Sequence, residues 1–455
     1  MIVKELFADK DYLKKILAIS SPLIVTYLVN SAVNLVDNVM IGSFGDTILA
    51  ADNLVDQYTM LFYMLVIGIC SGGSVLNAQY WGKNDLKNLH KVLSIQLGAS
   101  IAVGLICTLL GWFFPKQILS LYTRDPAVIN AGYEYLKIIS LSYFPFSIYR
   151  IITAAHRSTG NTRLPMVVSV LSLVLNVILN YILIFGKLGF PSMGLKGAAI
   201  STIFAQFFNL ILLVFLTYRK KMPVMLRFDE LFVFDKQIFQ KAIKQIIPVV
   251  ASEEFWGLGL NVYYSIYGHI STAAVAAMAA IGPIDNLMFT FLMAFGDGAA
   301  VLIGNAIGAD EKDRAFRYSE YAITLSFMIS IVLGFLIFGS RSILKVIYNL
   351  SPASMADART ILLIMALTIL VRGMNYTILI GVIRPGGDTR FGLINDTGIM
   401  WMVGIPAAWI LANIFHQPIQ IVYLGTVLEE VTKAFLCVRR FISRKWLNNL
   451  VKEDL

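Results

Sequence analysis

Long apolar runs separated by short polar breaks set the pattern of this chain. A run of about 20 mostly apolar residues is enough to cross hydrocarbon as a helix. Twelve such runs are predicted, near 17–41, 48–79, 91–114, 131–156, 164–186, 196–218, 243–268, 273–306, 315–339, 357–383, 391–414 and 418–438. The longest polar stretch, 219–241, falls between the sixth and seventh. The predicted organisation is a first lobe at 1–218, a linker at 219–241 and a second lobe at 242–455. The Leu-Phe-Val-Phe run inside the linker predicts a short amphipathic surface helix.

The two halves repeat. At a shift of 226 residues, Pro22 falls on Pro248, Gly42 on Gly268, Ala50-Ala51 on Ala276-Ala277, Gly72 on Gly298 and Gly82 on Gly308. After a one-residue slip, Arg157-Ser-Thr-Gly-Asn-Thr-Arg163 falls on Arg384-Pro-Gly-Gly-Asp-Thr-Arg390. Six helices per copy return the chain to its starting side, so the copies share one orientation, as parallel repeats do in transporters. The predicted fold is therefore an all-α integral membrane protein of twelve transmembrane helices, arranged as two parallel six-helix repeats around a central cavity.

Composition agrees: 57% of residues are hydrophobic, 14% are charged, and mean hydropathy is +0.72. The net charge of +9 comes from Lys and Arg at the N-terminus, the even-to-odd connections and the C-terminus, notably Arg219-Lys220-Lys221 and Arg439-Arg440. That bias predicts a multi-pass protein of the cell membrane with both termini cytoplasmic, and it argues against nucleic-acid binding. Cys70, Cys107 and Cys437 lie inside apolar runs without ligand-like spacing, so neither disulfides nor a metal site is expected. The charged, amphipathic first residues do not read as a signal peptide.

Polar groups at membrane depth are costly and mark candidate sites. Asp37 lies late in the first helix, with Asn34 and Asn30 one and two turns before it on one stripe. The bland alternative is an acid reaching water from a helix end. Asn176 and Asn180 share a face of the fifth helix, and Ser201 and Thr202 lie on the sixth. With Asp37 these groups can form an oxygen cage for a small cation or a carboxylate that takes up a proton; the alternative is hydrogen bonding that only holds helices together.

In the second half, Glu253 and Glu254 are neighbours on the seventh helix and point about 100° apart, so one faces the cavity and the other its edge. Asp285 and Asp297 lie on the eighth helix; Arg372 and Asn375 share a face of the tenth. Tyr263, which falls on Asp37 under the shift, joins this cavity set. A carboxylate paired with Arg372 would instead be a structural ion pair. Asp52 and Asp396 lie close to an interface and read as capping or solvated; Asp56, one turn past Asp52, stays a cavity candidate. The four histidines fall at helix ends and none looks catalytic. Gly68–Gly72 and Gly304–Gly308 are small-xxx-small patterns that let helices approach. In the repeated Arg-x-x-Gly-[Asn/Asp]-Thr-Arg loop, Gly supplies a turn, Asn or Asp with Thr caps the next helix, and Arg anchors it.

The chain resembles a multidrug and toxic compound extrusion (MATE) transporter. The resemblance rests on Val36 to Gly42, Ala78-Gln-Tyr-Trp-Gly82, the two Arg-loop copies, Asn176 to Gly186 and Gly197 to Thr202, which together span nearly the whole chain. It implies two lobes across a central cavity and export of cationic or amphipathic compounds against inward H+ or Na+. It also implies that Asp37 is the first-helix acid of a cation site, with Asn176, Asn180 and Thr202 around it, Na+ when used sitting at Asp37, Asn176 and Asn180. Glu253 matches the seventh-helix acid, with Glu254 as its reserve. The acidic residue that such relatives carry on the tenth helix is missing: Arg372 and Asn375 stand in that stretch, so Glu253 holds substrate or pairs with Arg372.

The expected function is thus an antiporter working as a monomer in the lipid bilayer, with H+ or Na+ as coupling ion, no cofactor and a small cationic molecule as substrate. A flippase for a lipid-linked substrate should want several cationic side chains at depth, where only Arg150 and Arg372 are counted. A membrane-embedded transferase or protease needs clustered Asp or paired His at depth, and neither is seen.

Overall fold

The computed structural model describes residues 2–42, 44–226, 230 and 235–452, apart from the side chains of Asn34, Leu35, Asn38, Val39 and Asp46. The Leu231–Phe234 surface helix and the side chain of Asn34 lie outside the described residues.

No strand occurs among the described residues. After the short α1 (Ile2–Ala8), the first repeat runs through α2 (Lys10–Gly42), α3 (Asp46–Gly82) and α4 (Leu86–Phe113). A short α5 (Pro115–Ser120) leads to α6 (Pro126–Ile139) and α7 (Tyr143–Ser158), joined by a 3₁₀ turn into one rod, followed by α8 (Arg163–Phe185) and α9 (Leu195–Arg219). The second repeat runs through α10 (Lys236–Ile270), α11 (Thr272–Gly308), α12 (Lys312–Ile347) and α13 (Pro352–Tyr376), which continues as a π-helix over Thr377–Ile383. Its fifth rod is α14 (Thr389–Leu393), π turns at Ile394–Gly398 and Met400–Gly404, and α15 (Ile405–Asn413). Its sixth is α16 (Ile419–Val422) with α17 (Leu424–Ile442). The result is the expected twelve-rod, two-repeat membrane fold.

Nine described helices are long and apolar enough to span on this measure alone. Among the rest, α10 carries Lys241, Lys244, Glu253 and Glu254, and the fifth rod of the second repeat is cut into short pieces by its π turns. Large apolar side chains point outward all along the rods: Val346 is 86% exposed and Met402 79%. Such faces suit lipid and not water.

Contacts divide the chain into two compact units, residues 1–21, 78–84 and 247–455 in one, residues 22–77 and 85–246 in the other. The cuts in α2 and α10 fall beside Pro22 and Pro248, where a missing backbone N–H loosens the helix. In the 22–77/85–246 unit a core gathers Ile41, Val55, Leu119, Leu136 and Ile184. The other unit packs Ile281, Ile337, Leu362, Met365 and Ile369.

Glycines that repeat at the 226 shift make equivalent contacts. A Cβ on Gly72 would sit 2.6 Å from the Ile246 Cα, and one on Gly298 would strike the Ser20 side chain; Ser20 falls on Ile246 under the same shift. A Cβ on Gly82 would strike the Asn305 carbonyl, and one on Gly308 the Gln79 carbonyl, while one on Gly304 would lie 2.8 Å from the Ala78 Cβ. Under the shift Gly72–Ile246 exchanges with Gly298–Ser20 and Gly82–Asn305 with Gly308–Gln79, while Gly304–Ala78 maps onto itself. The small-xxx-small pattern Gly304–Gly308 therefore meets its own repeat, Ala78–Gly82, and removal of side chains brings the backbones together. The C-terminal segment seals this crossing: Gln79 Nε2 donates to the carbonyls of Pro385 (2.8 Å) and Asn448 (3.1 Å), and Leu450 N donates to Gln79 Oε1 at 2.8 Å.

Both repeated loops turn through a left-handed glycine, Gly160 and Gly387, each at φ +80°. In the first copy Asn161 Oδ1 accepts from Leu164 N at 3.4 Å. The expected cap is absent from the second copy, where Asp388 makes no cap bond and accepts from Arg440 Nε at 2.5 Å. Ion pairing there outbids a terminal amide, because a charged donor forms the stronger bond.

Where described, the linker is tied to α4: His90 Nε2 lies 2.7 Å from the Pro223 carbonyl, and Lys91 Nζ 2.7 Å from Asp235 Oδ2. The Lys91 ammonium, then the Ile238 backbone N–H, hold the Asp235 carboxyl below its ordinary range. A lowered carboxyl adds stability above its unfolded-state range and loses it as pH falls through the folded-state value.

Two outcomes are expected. Wild type should unfold at higher temperature than Asp235→Asn at neutral pH, and the gap should close on acidification below the usual carboxylate range; a gap constant with pH would contradict the pairing. Gly308→Val should destabilise by about 1–3 kcal/mol through overpacking. Gly339→Ala, where a Cβ meets nothing within 4 Å, should cause no loss in the same melting assay.

Candidate functional site

In the 22–77/85–246 unit, α2 and α8 bring the expected trio together. Asn180 Nδ2 donates to Asp37 Oδ1 at 2.5 Å and to Asn176 Oδ1 at 3.1 Å. The i, i+4 spacing on α8 stacks the two amides, and Gly197 lets α9 close on α8, since a Cβ there would lie 2.7 Å from the Leu183 backbone. Asn176 and Asn180 are 3% and 0% exposed. Asn180 Oδ1 is sealed from solvent with no hydrogen-bond partner. An orphaned buried acceptor costs about 1–3 kcal/mol; Asn77, Asn209, Asn375 and Asn395 carry such amide oxygens too, and that of Asn180 differs in belonging to a side chain bonded to the Asp37 carboxylate. The trio thus presents an open oxygen next to a carboxylate.

Thr202 is half-buried and makes no described hydrogen bond to the trio, while Ser201 Oγ turns back to the Gly197 carbonyl at 2.8 Å. Asp52 and Asp56 lie within electrostatic reach of Asp37, and the Tyr135 hydroxyl lies alongside Asp52. Contrary to the capping or solvated role expected of it, Asp52 is the buried member of the pair, at 3% exposure, and Asp56 is the open one. The helix turn faces Asp52 into the α6 packing, which position along the sequence could not tell.

The second-half candidates are mostly held in pairs within the 1–21/78–84/247–455 unit. Arg372 grips Asp285 with two bonds, Nη1 to Oδ1 at 2.7 Å and Nη2 to Oδ2 at 3.2 Å, and lies over the Phe289 ring. The partner of Glu253 is therefore not Arg372. It is Arg384 from the repeated loop, with Nη1 2.9 Å from Glu253 Oε1. The first repeat has the same contact: Arg157 Nη1 donates to the Tyr27 hydroxyl at 3.1 Å, and Tyr27 falls on Glu253 under the shift. Glu253 thus replaces a tyrosine in a scaffold contact. Its neighbour Glu254 has Oε1 buried without a partner. Asp297 accepts from the Tyr376 hydroxyl at 3.4 Å.

A buried charged cluster escaped the sequence reading. Lys433 Nζ lies 2.7 Å from both Asp396 Oδ1 and Glu429 Oε1, and the Tyr263 hydroxyl donates to Glu429 Oε2 at 2.5 Å. Asn375 Nδ2 donates to Glu430 Oε2 at 2.7 Å. Lys433 is thus an intramembrane cation beyond Arg150 and Arg372, and Asp396 and Tyr263 belong to its cluster. The signal was present as Glu429-Glu430 and Lys433 inside the run 418–438, with Glu429 and Lys433 at i, i+4. Among the described residues no group of three or more His, Cys, Asp or Glu is placed to hold a metal ion.

Known proteins resemble this chain along nearly its whole length. The MatE family profile matches residues 22–182 and 255–410, more than half of the chain. A probable multidrug resistance protein NorM of Thermotoga maritima is 25% identical over 436 residues, covering 95% of this chain and 93% of the relative. An uncharacterized transporter YisQ of Bacillus subtilis is 22% identical, covering 97% and 96%. Among solved structures, an outward-facing multidrug resistance MATE transporter of the MOP superfamily superposes with TM-score 0.87 at 19% identity, covering 95% of each chain. A MOP superfamily transporter from Pyrococcus furiosus, described as having a binding pocket of reversed polarity, gives 0.86 at 19%, covering 97% of each chain.

Breaking the Glu253–Arg384 pair from one side should remove one half of a buried ion pair. Glu253→Gln is expected to cost about 3 kcal/mol, and Glu253→Gln with Arg384→Gln together should cost less than the two singles summed; additive losses in melting temperature would rule out the coupling.

Proposed function

The chain belongs to the MatE family, and from that premise we propose that it is a secondary active antiporter, exporting organic cations in exchange for H+ or Na+ by alternating access. Family membership makes it a multi-pass membrane transporter of small molecules; the finer reading rests on its own residues. The observation that carries it is the trio Asp37, Asn176 and Asn180, in which a carboxylate and a fully buried, unpartnered amide oxygen converge. A proton on Asp37, or a Na+ taken up by oxygens of Asp37, Asn176 and Asn180, meets the need of these groups. Hard cations favour such oxygen ligands. Thr202 and Asp56 flank the site as secondary candidates.

The coupling ion changes the charge at Asp37 and so the relative stability of two states of α2, which Pro22 leaves free to bend. Flux is coupled only if substrate affinity differs between those states. The first half, 1–218, takes the ion role; the second half, 242–455, beyond the 219–241 linker, takes the substrate role. There Glu254 supplies the carboxylate for a cationic substrate, with Asp297 as a second acid on the same half, whereas Asn375 and Tyr263 are held by Glu430 and Glu429. Glu253, Asp285 and Arg372 serve as paired structure. The neutralisation of Arg372 by Asp285 weighs against a phosphate-bearing lipid as substrate. The positive bias of the connections supports cytoplasmic termini in a cell-membrane protein, and the reading takes the transporting unit as a monomer.

Proteoliposomes with imposed pH or Na+ gradients test this reading. Asp37→Asn should reduce gradient-driven movement of a cationic dye by about 5–150-fold, the range of a 1–3 kcal/mol coupling energy, while dye binding persists. Glu254→Gln should weaken dye binding and leave the ion response in place. Wild-type flux by Asp37→Asn would end the proposal, and the gradient that drives flux identifies the ion.

A further inference from the structure

Two carboxylates share one ammonium in the second half. Lys433 bonds Asp396 and Glu429 at 2.7 Å each, with side-chain exposures of 5% for Lys433, 6% for Glu429 and 20% for Asp396. With both acids ionised the triad carries a net charge of −1 in a low-dielectric interior, which is costly. Glu430 on α17 adds negative charge beside it, and Glu253 on α10 reaches Asp396 electrostatically but is matched by Arg384. Cys437 lies next to the same group, donated to by Asn395 at 3.1 Å.

The two acids are not equivalent. Glu429 accepts at both oxygens, from Lys433 and from the Tyr263 hydroxyl. Accepting two bonds at once favours its ionised form. Gly404 is required for this fit, since a Cβ there would strike the Tyr263 hydroxyl and Glu429 Oε2. Asp396 accepts only at Oδ1; its Oδ2 has no partner among the described residues and is not sealed from solvent. Asp396 also sits in the π turn Ile394–Gly398. Such turns disturb the helix register and recur at functional positions.

We propose that Asp396 is an exchangeable proton site of the second half, separate from Asp37. The proton adds to Asp396 Oδ2, no other bond breaks, and Lys433 keeps its three hydrogens and its bond to Glu429. The triad then moves between net charge −1 and 0. A transport cycle driven by H+ gains a second uptake point from it. The inference stands without the antiport reading, because protonation is measurable on protein at rest.

The test is a pH titration of full-length protein in proteoliposomes, followed by infrared absorption of protonated carboxyl groups, in an Asp37→Asn background that removes that site from the count. Asp396→Asn should delete one titrating component, Glu429→Gln should move that component to lower pH because Lys433 and ionised Asp396 then form a neutral pair, and Asp396→Glu should shift its frequency at equal amplitude. Proton uptake counted with an indicator dye should fall by one per protein in Asp396→Asn. A spectrum unchanged by Asp396→Asn or an unshifted band in Asp396→Glu would overturn the proposal. Asp396→Glu keeps the acid and the ammonium pair, so the question stays decidable if Asp396→Asn does not fold.

Discussion

A charge placed in hydrocarbon has to be matched inside the protein, and that constraint orders the polar chemistry of this bundle. Arg372 is matched by Asp285, Arg384 by Glu253, and Lys433 by Asp396 and Glu429. Against this background the incomplete groups stand out. Asn180 Oδ1 and Glu254 Oε1 are buried acceptors with nothing to accept, and Asp396 has one oxygen more than Lys433 uses. The locked pairs hold helices in register. The open oxygens are where an ion, a substrate or a proton changes the energy of the fold.

The repeat shows how such specialisation arises without cost to the scaffold. The glycine contacts of Gly72, Gly82, Gly298 and Gly308 recur in exchanged form because close backbone approach tolerates no side chain. Side chains beside them were free to diverge. Arg157 donates to a tyrosine hydroxyl and Arg384 to a carboxylate at the equivalent place, so one contact geometry serves a neutral acceptor in one half and an ion pair in the other.

Much of this was legible in the chain itself. Apolar run length gave twelve rods, the 226 shift gave the repeat, and i, i+4 spacing placed Asn176 under Asn180. These are properties of period and count, which a helix in lipid obeys with little help from tertiary packing. Even the Lys433 cluster left a trace as three charges in an apolar run, although nothing in one helix said which acids on other helices would meet them.

Partner choice is what only the tertiary structure decided. Arg372 had several acids within plausible reach and took Asp285; Glu253 took Arg384; Asp52 turned inward and Asp56 outward. A helix fixes the direction of its side chains to about 100° per residue but not the rotation or depth of its neighbour. Sequence by itself therefore determined the membrane, the rods, the repeat and the residues able to carry charge. Which charges are satisfied and which stay open followed from how the rods pack, because an ion pair depends on a few ångströms that no single helix specifies.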